Sequence, residues 1–153
     1  MTANGDFPRV TDYWRLSIDP AATHTVSKIA INLTSINMLW SNPAGGTGFF
    51  VGQTQGINPS DVVASRSDDR TTLTLTFNPG TFGAGDLLTF SNFAFPIQVP
   101  VQFEVDADRF EGGVVTVTFD DSSEVTGIFT VGPKLKINHY TGAGLVNADA
   151  ATR

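Results

Sequence analysis

The chain has 153 residues, which suits one domain with a substantial hydrophobic core. Its net charge of −6 and its nine scattered Lys and Arg residues exclude the basic stripe that nucleic-acid binding needs, and an anionic membrane surface would repel such a chain. It has no cysteine, which excludes disulfides and thiol chemistry, and its apolar runs are too short to insert into a membrane.

Apolar and polar residues alternate with a period of two in one segment after another. This rhythm is typical of strands with one buried and one solvent-facing side. In the first such segment, Trp14, Leu16 and Ile18 alternate with Arg15 and Ser17. The predicted strands, in chain order, cover residues 13–19, 28–34, 72–77, 98–105, 115–119 and 125–131, with a last one near 135–137.

Turn-forming residues separate these segments. Residues 58–61 (Asn-Pro-Ser-Asp) predict one short helical turn, and residues 120–123 (Asp-Asp-Ser-Ser) predict a tight hairpin. The pattern predicts an all-β, antiparallel two-sheet β-sandwich, Ig-like or jelly-roll-like, with a closed β-barrel as the alternative. We assign residues 1–139 to the sandwich domain and residues 140–153 to a C-terminal tail or short helix.

Several of these segments together resemble a known type of module. The stretches are 56–62, 71–77, 80–82, 85–90, 113–121 and 125–127. They are similar to a bacterial extracellular β-sandwich surface-protein module of the anchor-associated type. The resemblance implies an extracellular or cell-surface location and no catalytic activity within the module.

A second, shorter resemblance lies near the C-terminus. Residues 142–151 (Gly-Ala-Gly-Leu-Val-Asn-Ala-Asp-Ala-Ala) are similar to the closing segment of subtilisin-like protease domains. The catalytic motifs of that family are missing, since the chain has no Asp-Ser/Thr-Gly, His-Gly or Gly-Thr-Ser-Met-Ala. The resemblance implies that the chain lies beside or within a secreted protease and is not itself the protease.

Catalytic candidates are weak. The sequence has two histidines, His24 and His139, but no Gly-x-Ser-x-Gly motif that would supply a serine nucleophile for either of them to activate. Glycoside hydrolysis needs two facing carboxylates, and the glutamates Glu104, Glu111 and Glu124 have no recognisable aromatic cleft around them. The sequence therefore predicts no enzyme, no catalytic residue and no cofactor other than calcium.

Acidic loop residues make calcium the cofactor to consider. Asp106, Asp108 and Glu111 precede a Gly-Gly pair, and Asp120 and Asp121 occupy the next turn. Calcium takes six to eight oxygen ligands, several of them carboxylates. In an extended segment Asp106 and Asp108 would project on the same side, about 7 Å apart. These five residues are the metal candidates, although the chain has no EF-hand loop.

Two functions fit the chain. The first is a non-catalytic structural or adhesive module that associates, through sheet edges, with copies of itself or with neighbouring domains. The alternative is a carbohydrate-binding or accessory module of a secreted hydrolase, with polysaccharide as its partner. That alternative needs exposed aromatic side chains, and the candidates are Tyr13, Phe49 or Phe50, Phe110 and Tyr140.

Overall fold

The computed structural model describes residues 14–44, 48–92, 94–97, 110–129, 137–141 and 144–150, the last two ranges and residues 95–96 by backbone alone. These residues form twelve strands and two 3-10 turns, Thr34–Ile36 and Pro59–Asp61. The strands are β1 (Trp14–Ile18), β2 (Val26–Asn32), β3 (Met38–Trp40), β4 (Phe50–Gln55), β5 (Val62–Arg66), β6 (Thr72–Phe77), β7 (Leu87–Ser91), β8 (Ala94–Pro96), β9 (Val114–Phe119), β10 (Glu124–Ile128), β11 (Ile137–Thr141) and β12 (Gly144–Ala150).

Ten of these strands form two five-stranded sheets. Sheet A has the order β11-β12-β1-β7-β4, and sheet B has the order β10-β9-β2-β6-β5. Strands β3 and β8 pair as a separate two-stranded ribbon. Neighbouring strands in the described ranges run antiparallel, and the two sheets are not closed into a barrel. The predicted antiparallel two-sheet sandwich is confirmed.

The alternation in sequence becomes a two-sided sheet. In β6, Leu73, Leu75 and Phe77 are buried, while the intervening threonines face solvent. Leu75 stands opposite Ile29 of β2, and Ile29 stands opposite Val117 of β9. Because side chains of a strand alternate between the two sides, this register collects the apolar positions of sheet B on its inner face.

Aromatic side chains fill the centre of the core. Trp14 of β1 has its ring 4.8 Å from that of Phe110, 5.4 Å from that of Phe129 and 5.9 Å from that of Trp40, measured between centroids. Trp40 belongs to the β3–β8 ribbon, and its indole N–H donates to the carbonyl of Ile31 in β2. The ribbon therefore joins the same core as the two sheets.

The C-terminal segment differs from the expected tail or short helix. Residues 144–150 form β12, which pairs with β1 from Trp14 opposite Ala150 to Ile18 opposite Val146. The boundary expected after residue 139 falls within β11. A chain segment rich in small residues can satisfy its backbone in a sheet as well as in a helix, and here the free side of β1 supplies the partner. The strand predicted at 98–105 lies outside the described residues.

Candidate functional site

The β1–β2 loop meets the β9–β10 turn at one end of sheet B. Strands β2 and β9 are antiparallel neighbours, so the start of β2 lies beside the end of β9. Val26 stands opposite Phe119, and the backbone N–H of Asp120 donates to the carbonyl of Thr25 at 2.9 Å. This pairing brings His24 to the acidic turn, although 96 positions separate it from Asp120 in sequence.

Asp120 is held by donors from the β1–β2 loop. Its Oδ2 accepts hydrogen bonds from the backbone N–H of Thr25 at 3.1 Å and from the Thr25 hydroxyl at 3.0 Å. Its Oδ1 lies 2.7 Å from Nδ1 of His24. The Thr25 backbone N–H, and then the His24 side chain, lower the pKa of Asp120 to about 2. The carboxylate is therefore ionised at neutral pH and acts only as an acceptor, so Nδ1 of His24 donates to it.

Asp121 is held from its own turn. Its Oδ1 accepts from the backbone N–H of Ser123 at 2.9 Å and from the Ser123 hydroxyl at 2.5 Å, and the hydroxyl bond is the main reason that the pKa of Asp121 is lowered. Its Oδ2 lies 3.8 Å from Nε2 of His24. The hydrogen bond to Asp120 is likewise the main cause of the raised pKa of His24. The imidazole thus has a carboxylate oxygen facing each of its two nitrogens.

Among the described residues, three potential metal ligands lie close together: His24, Asp120 and Asp121. One ligand atom from each lies within 4.8 Å of the others. Two of the five metal candidates, Asp120 and Asp121, are therefore brought together. The sequence does not predict His24 as a metal ligand, because it lies far from the acidic turn in the chain. Knowledge that β2 pairs with β9 would have placed His24 beside Asp120 and Asp121.

Of the three remaining metal candidates, the one that the structure describes, Glu111, lies away from this group. Glu111 is exposed just before β9, whereas Asp120 directly follows that strand. A six-residue strand spans roughly 20 Å, so Glu111 and Asp120 cannot ligate the same ion. Asp106 and Asp108 lie outside the described residues. Calcium binding by these residues stays a prediction.

Other acidic residues brace turns or strands. In the β5–β6 turn, Oδ1 of Asp69 accepts from the hydroxyl of Ser67 at 2.5 Å and from the backbone N–H of Thr71 at 3.1 Å. Glu124 begins β10 on the solvent face and accepts from the hydroxyl of Thr118 at 3.0 Å. Glu104 and the side chain of His139 lie outside the described residues.

The aromatic candidates for carbohydrate binding that the structure describes are buried or partly buried. Phe110 is buried against Trp14 and Trp40. Phe49 packs on Phe90, with ring centroids 5.2 Å apart, and Phe50 is half-buried in β4. Tyr13 and the side chain of Tyr140 lie outside the described residues. The described aromatic residues thus contribute to the core more than to a binding surface.

Strand β5 is an open edge of sheet B. Asn78 N–H donates to the carbonyl of Asp61, and Ser67 N–H donates to the carbonyl of Thr72. Backbone groups alternate in direction along an antiparallel strand, so residues 61, 63, 65 and 67 point toward β6. Val62, Ala64 and Arg66 therefore point their N–H and C=O groups outward, where the described residues supply no backbone partner.

The other sheet edges are protected or flanked. Strand β4 has an irregular register with β7 between Val51 and Thr54, and such bulges discourage edge pairing. Strand β10 has β11 packed beside it. Strand β5, by contrast, pairs in continuous register with β6, and its Val63 is 63% exposed. Of the edges described, β5 is thus the flat and accessible one.

Among the described residues, none of the helical segments has the length and apolarity needed to cross a bilayer.

Comparisons with protein-family models, curated proteins and solved structures found no match for this chain. The resemblances to a bacterial surface module and to the end of subtilisin-like proteases stay predictions. What the chain can be assigned to is a fold, the open antiparallel two-sheet β-sandwich.

Proposed function

We propose that the chain is a non-catalytic structural or adhesive module of an extracellular bacterial protein, and that it associates with copies of itself through the β5 edge of sheet B. The observation that carries this proposal is the row of outward backbone groups at Val62, Ala64 and Arg66. An unpaired strand edge is a template for another strand, and proteins that must stay monomeric usually block it.

The sequence of β5 contains little that would block pairing. It reads Val-Val-Ala-Ser-Arg, with no Pro, no Lys and no acidic residue. Its charged residue, Arg66, directs its guanidinium away to the Trp40 carbonyl, at 3.0 Å. Val63 and Ser65 project on the solvent face and present a small, uncharged surface beside the edge.

The outward groups are complementary to themselves. A twofold axis at Ala64 places Ala64 opposite Ala64 of a second copy, and Val62 opposite Arg66 of that copy. In this register every outward-facing residue meets another, so each pair can exchange two backbone hydrogen bonds. Val63 then lies beside Ser65 of the second copy. The product is a continuous ten-stranded antiparallel sheet.

The solvent face of sheet B suits a surface module. It is covered mostly by short hydroxyl side chains from neighbouring strands, with Lys28 and Glu124 as charged residues among them; the hydroxyls belong to Thr72, Thr74, Thr76, Thr116, Thr118 and Thr126. Thr116 and Thr126 stand directly opposite each other, with their hydroxyls 3.2 Å apart. Such cross-strand Thr pairs stabilise a sheet without attracting charged ligands. This composition, with the family resemblance, supports the extracellular assignment.

A proline substitution tests the proposal. Ala64→Pro removes an outward N–H but no β5–β6 hydrogen bond, so it should block pairing at the edge. The matched control, Val63→Pro, removes an inward N–H and should destabilise the fold instead. We expect the mass of the wild-type chain, measured by light scattering from micromolar to millimolar concentration, to approach twice the monomer mass, and Ala64→Pro to stay monomeric. A wild-type chain that stays monomeric throughout, or an Ala64→Pro variant that dimerises equally well, would contradict the proposal.

A further inference from the structure

The imidazole of His24 lies between two anchored carboxylates. Oδ1 of Asp120 faces Nδ1 at 2.7 Å, and Oδ2 of Asp121 faces Nε2 at 3.8 Å. The second oxygen of each carboxylate is already bound, to Thr25 in the first case and to Ser123 in the second. Both carboxylates are therefore held in place before any ligand arrives.

This arrangement leaves two acceptors face to face. A neutral imidazole donates from one nitrogen and accepts at the other. Since Nδ1 donates to Asp120, the unprotonated Nε2 lies 3.8 Å from Oδ2 of Asp121, which also accepts. Two acceptors across such a gap repel each other unless the ring takes a second proton or a cation lies between them.

We propose that His24 and Asp121 bind a divalent transition-metal ion of the zinc type, with Nε2 and Oδ2 as its protein ligands and water completing the coordination. Asp120 acts as a positioning residue, because its hydrogen bond to Nδ1 fixes the ring and its tautomer. A carboxylate behind a metal-ligating histidine is a recurrent arrangement at zinc sites. This site is separate from the β5 edge and does not depend on the proposed function.

The spacing suits such an ion. With zinc–nitrogen and zinc–oxygen bonds of about 2.1 Å, tetrahedral coordination places two ligand atoms roughly 3.4 Å apart. The observed separation between Nε2 and Oδ2 is 3.8 Å. The side chains of His24 and Asp121 are 34% and 44% exposed, so a small rotation closes the difference and the ion can enter from solvent.

The donor set favours this class of metal over calcium. Calcium prefers six to eight oxygen ligands, whereas an imidazole nitrogen suits zinc, copper or nickel. Three of the four carboxylate oxygens of Asp120 and Asp121 already accept hydrogen bonds, which leaves Oδ2 of Asp121 as the available one. A zinc-type ion at this turn therefore differs from the calcium that the sequence predicts at Asp120 and Asp121.

Calorimetric titration of the full chain with zinc chloride, and in parallel with calcium chloride, tests the site. We expect zinc to bind with one equivalent assigned to this turn and calcium to bind at least ten-fold more weakly. His24→Gln should abolish that equivalent and Asp121→Asn should weaken it at least ten-fold. Asp120→Asn should weaken it by about ten-fold, as loss of a supporting carboxylate does. His139→Gln, at the chain's other histidine, is the matched control and should bind like the wild type.

Nitrogen-15 NMR of the wild-type imidazoles reports zinc binding at each ring nitrogen directly, without relying on any substituted chain. Zinc should shift Nε2 of His24 while Nδ1 keeps its proton. Circular dichroism of each variant confirms that it is folded before it is titrated. The proposal is overturned if His24→Gln binds zinc as tightly as the wild type, if the zinc-dependent shift appears on Nδ1, or if calcium binds as tightly as zinc and loses that binding in His24→Gln.

Discussion

Gly56, the residue directly after β4, has a left-handed backbone conformation and leaves no room for a side chain. Its φ is +77°, and a Cβ at this position would lie 1.7 Å from Oδ1 of Asp86. Asp86 cannot move freely, because its Oδ2 accepts from the backbone N–H of Gly83 at 2.7 Å. The backbone carbonyl of Asp86 also accepts a hydrogen bond from the N–H of Ile18 in β1. One glycine therefore permits the close approach of β4 to the loop before β7.

We predict that Gly56→Ala destabilises the protein more than Gly80→Ala does. Gly80 has the same φ of +77°, but a Cβ there meets nothing within 4 Å. Gly80→Ala should cost about 1–2 kcal/mol through backbone strain alone. Gly56→Ala should exceed that cost, because Asp86 must rotate away and lose its bond to Gly83. Urea denaturation of the two variants measures the difference; equal losses would show that the contact with Asp86 does not matter.

At the scale of the element, β6 shows why the alternating pattern is so informative. It lies between β2 and β5, with Leu75 opposite Ile29 on one side and Ala64 on the other. Leu75 is fully buried, and the adjacent Thr76 is exposed. Two neighbouring residues of one strand therefore differ almost completely in their surroundings.

Substitution of these neighbours by alanine should have very different effects. Leu75→Ala removes buried methyl groups at the centre of sheet B and should cost about 2–5 kcal/mol. Thr76→Ala changes a solvent-facing side chain and should stay within about 0.5 kcal/mol. Thermal unfolding followed by circular dichroism compares the two. A Thr76→Ala variant as unstable as Leu75→Ala would mean that the outer face of β6 is covered in solution.

At the scale of the whole molecule, the C-terminal strands complete sheet A. Strand β12 pairs with every residue of β1, and β11 pairs with β12. Without them, β1 would become an edge strand, and sheet A would keep three of its five strands. Because β1 carries Trp14 and Leu16 into the core, its support matters for the whole sandwich.

A chain ending at residue 139 tests this role. We expect it to unfold at a lower temperature than the full chain and to aggregate, because β1 would expose unpaired backbone groups. Differential scanning calorimetry and light scattering provide the two readouts. If its midpoint equals that of the full chain, residues 140–153 do not contribute to the stability of the sandwich.

Strands with a clear alternation could be predicted, and the others could not. Strands β2, β6 and β9 fall close to the segments that the pattern indicated. Strand β7 is buried at four consecutive positions, and β3 and β8 have three residues each, so none of the three shows a readable period. Strand β12 was mistaken for a tail or short helix, because small residues carry little information about which conformation they adopt.

By itself, the sequence determined which side of each well-patterned strand is buried, since alternation is a local property of extended backbone. Which strands are neighbours was decided only by the tertiary structure, because pairing depends on contacts between residues far apart in the chain. The candidate site illustrates the difference. Asp120 and Asp121 could be recognised as an acidic turn, but His24 joins them only because β2 pairs with β9. The open edge at β5 exists for the same reason: it is a consequence of strand order.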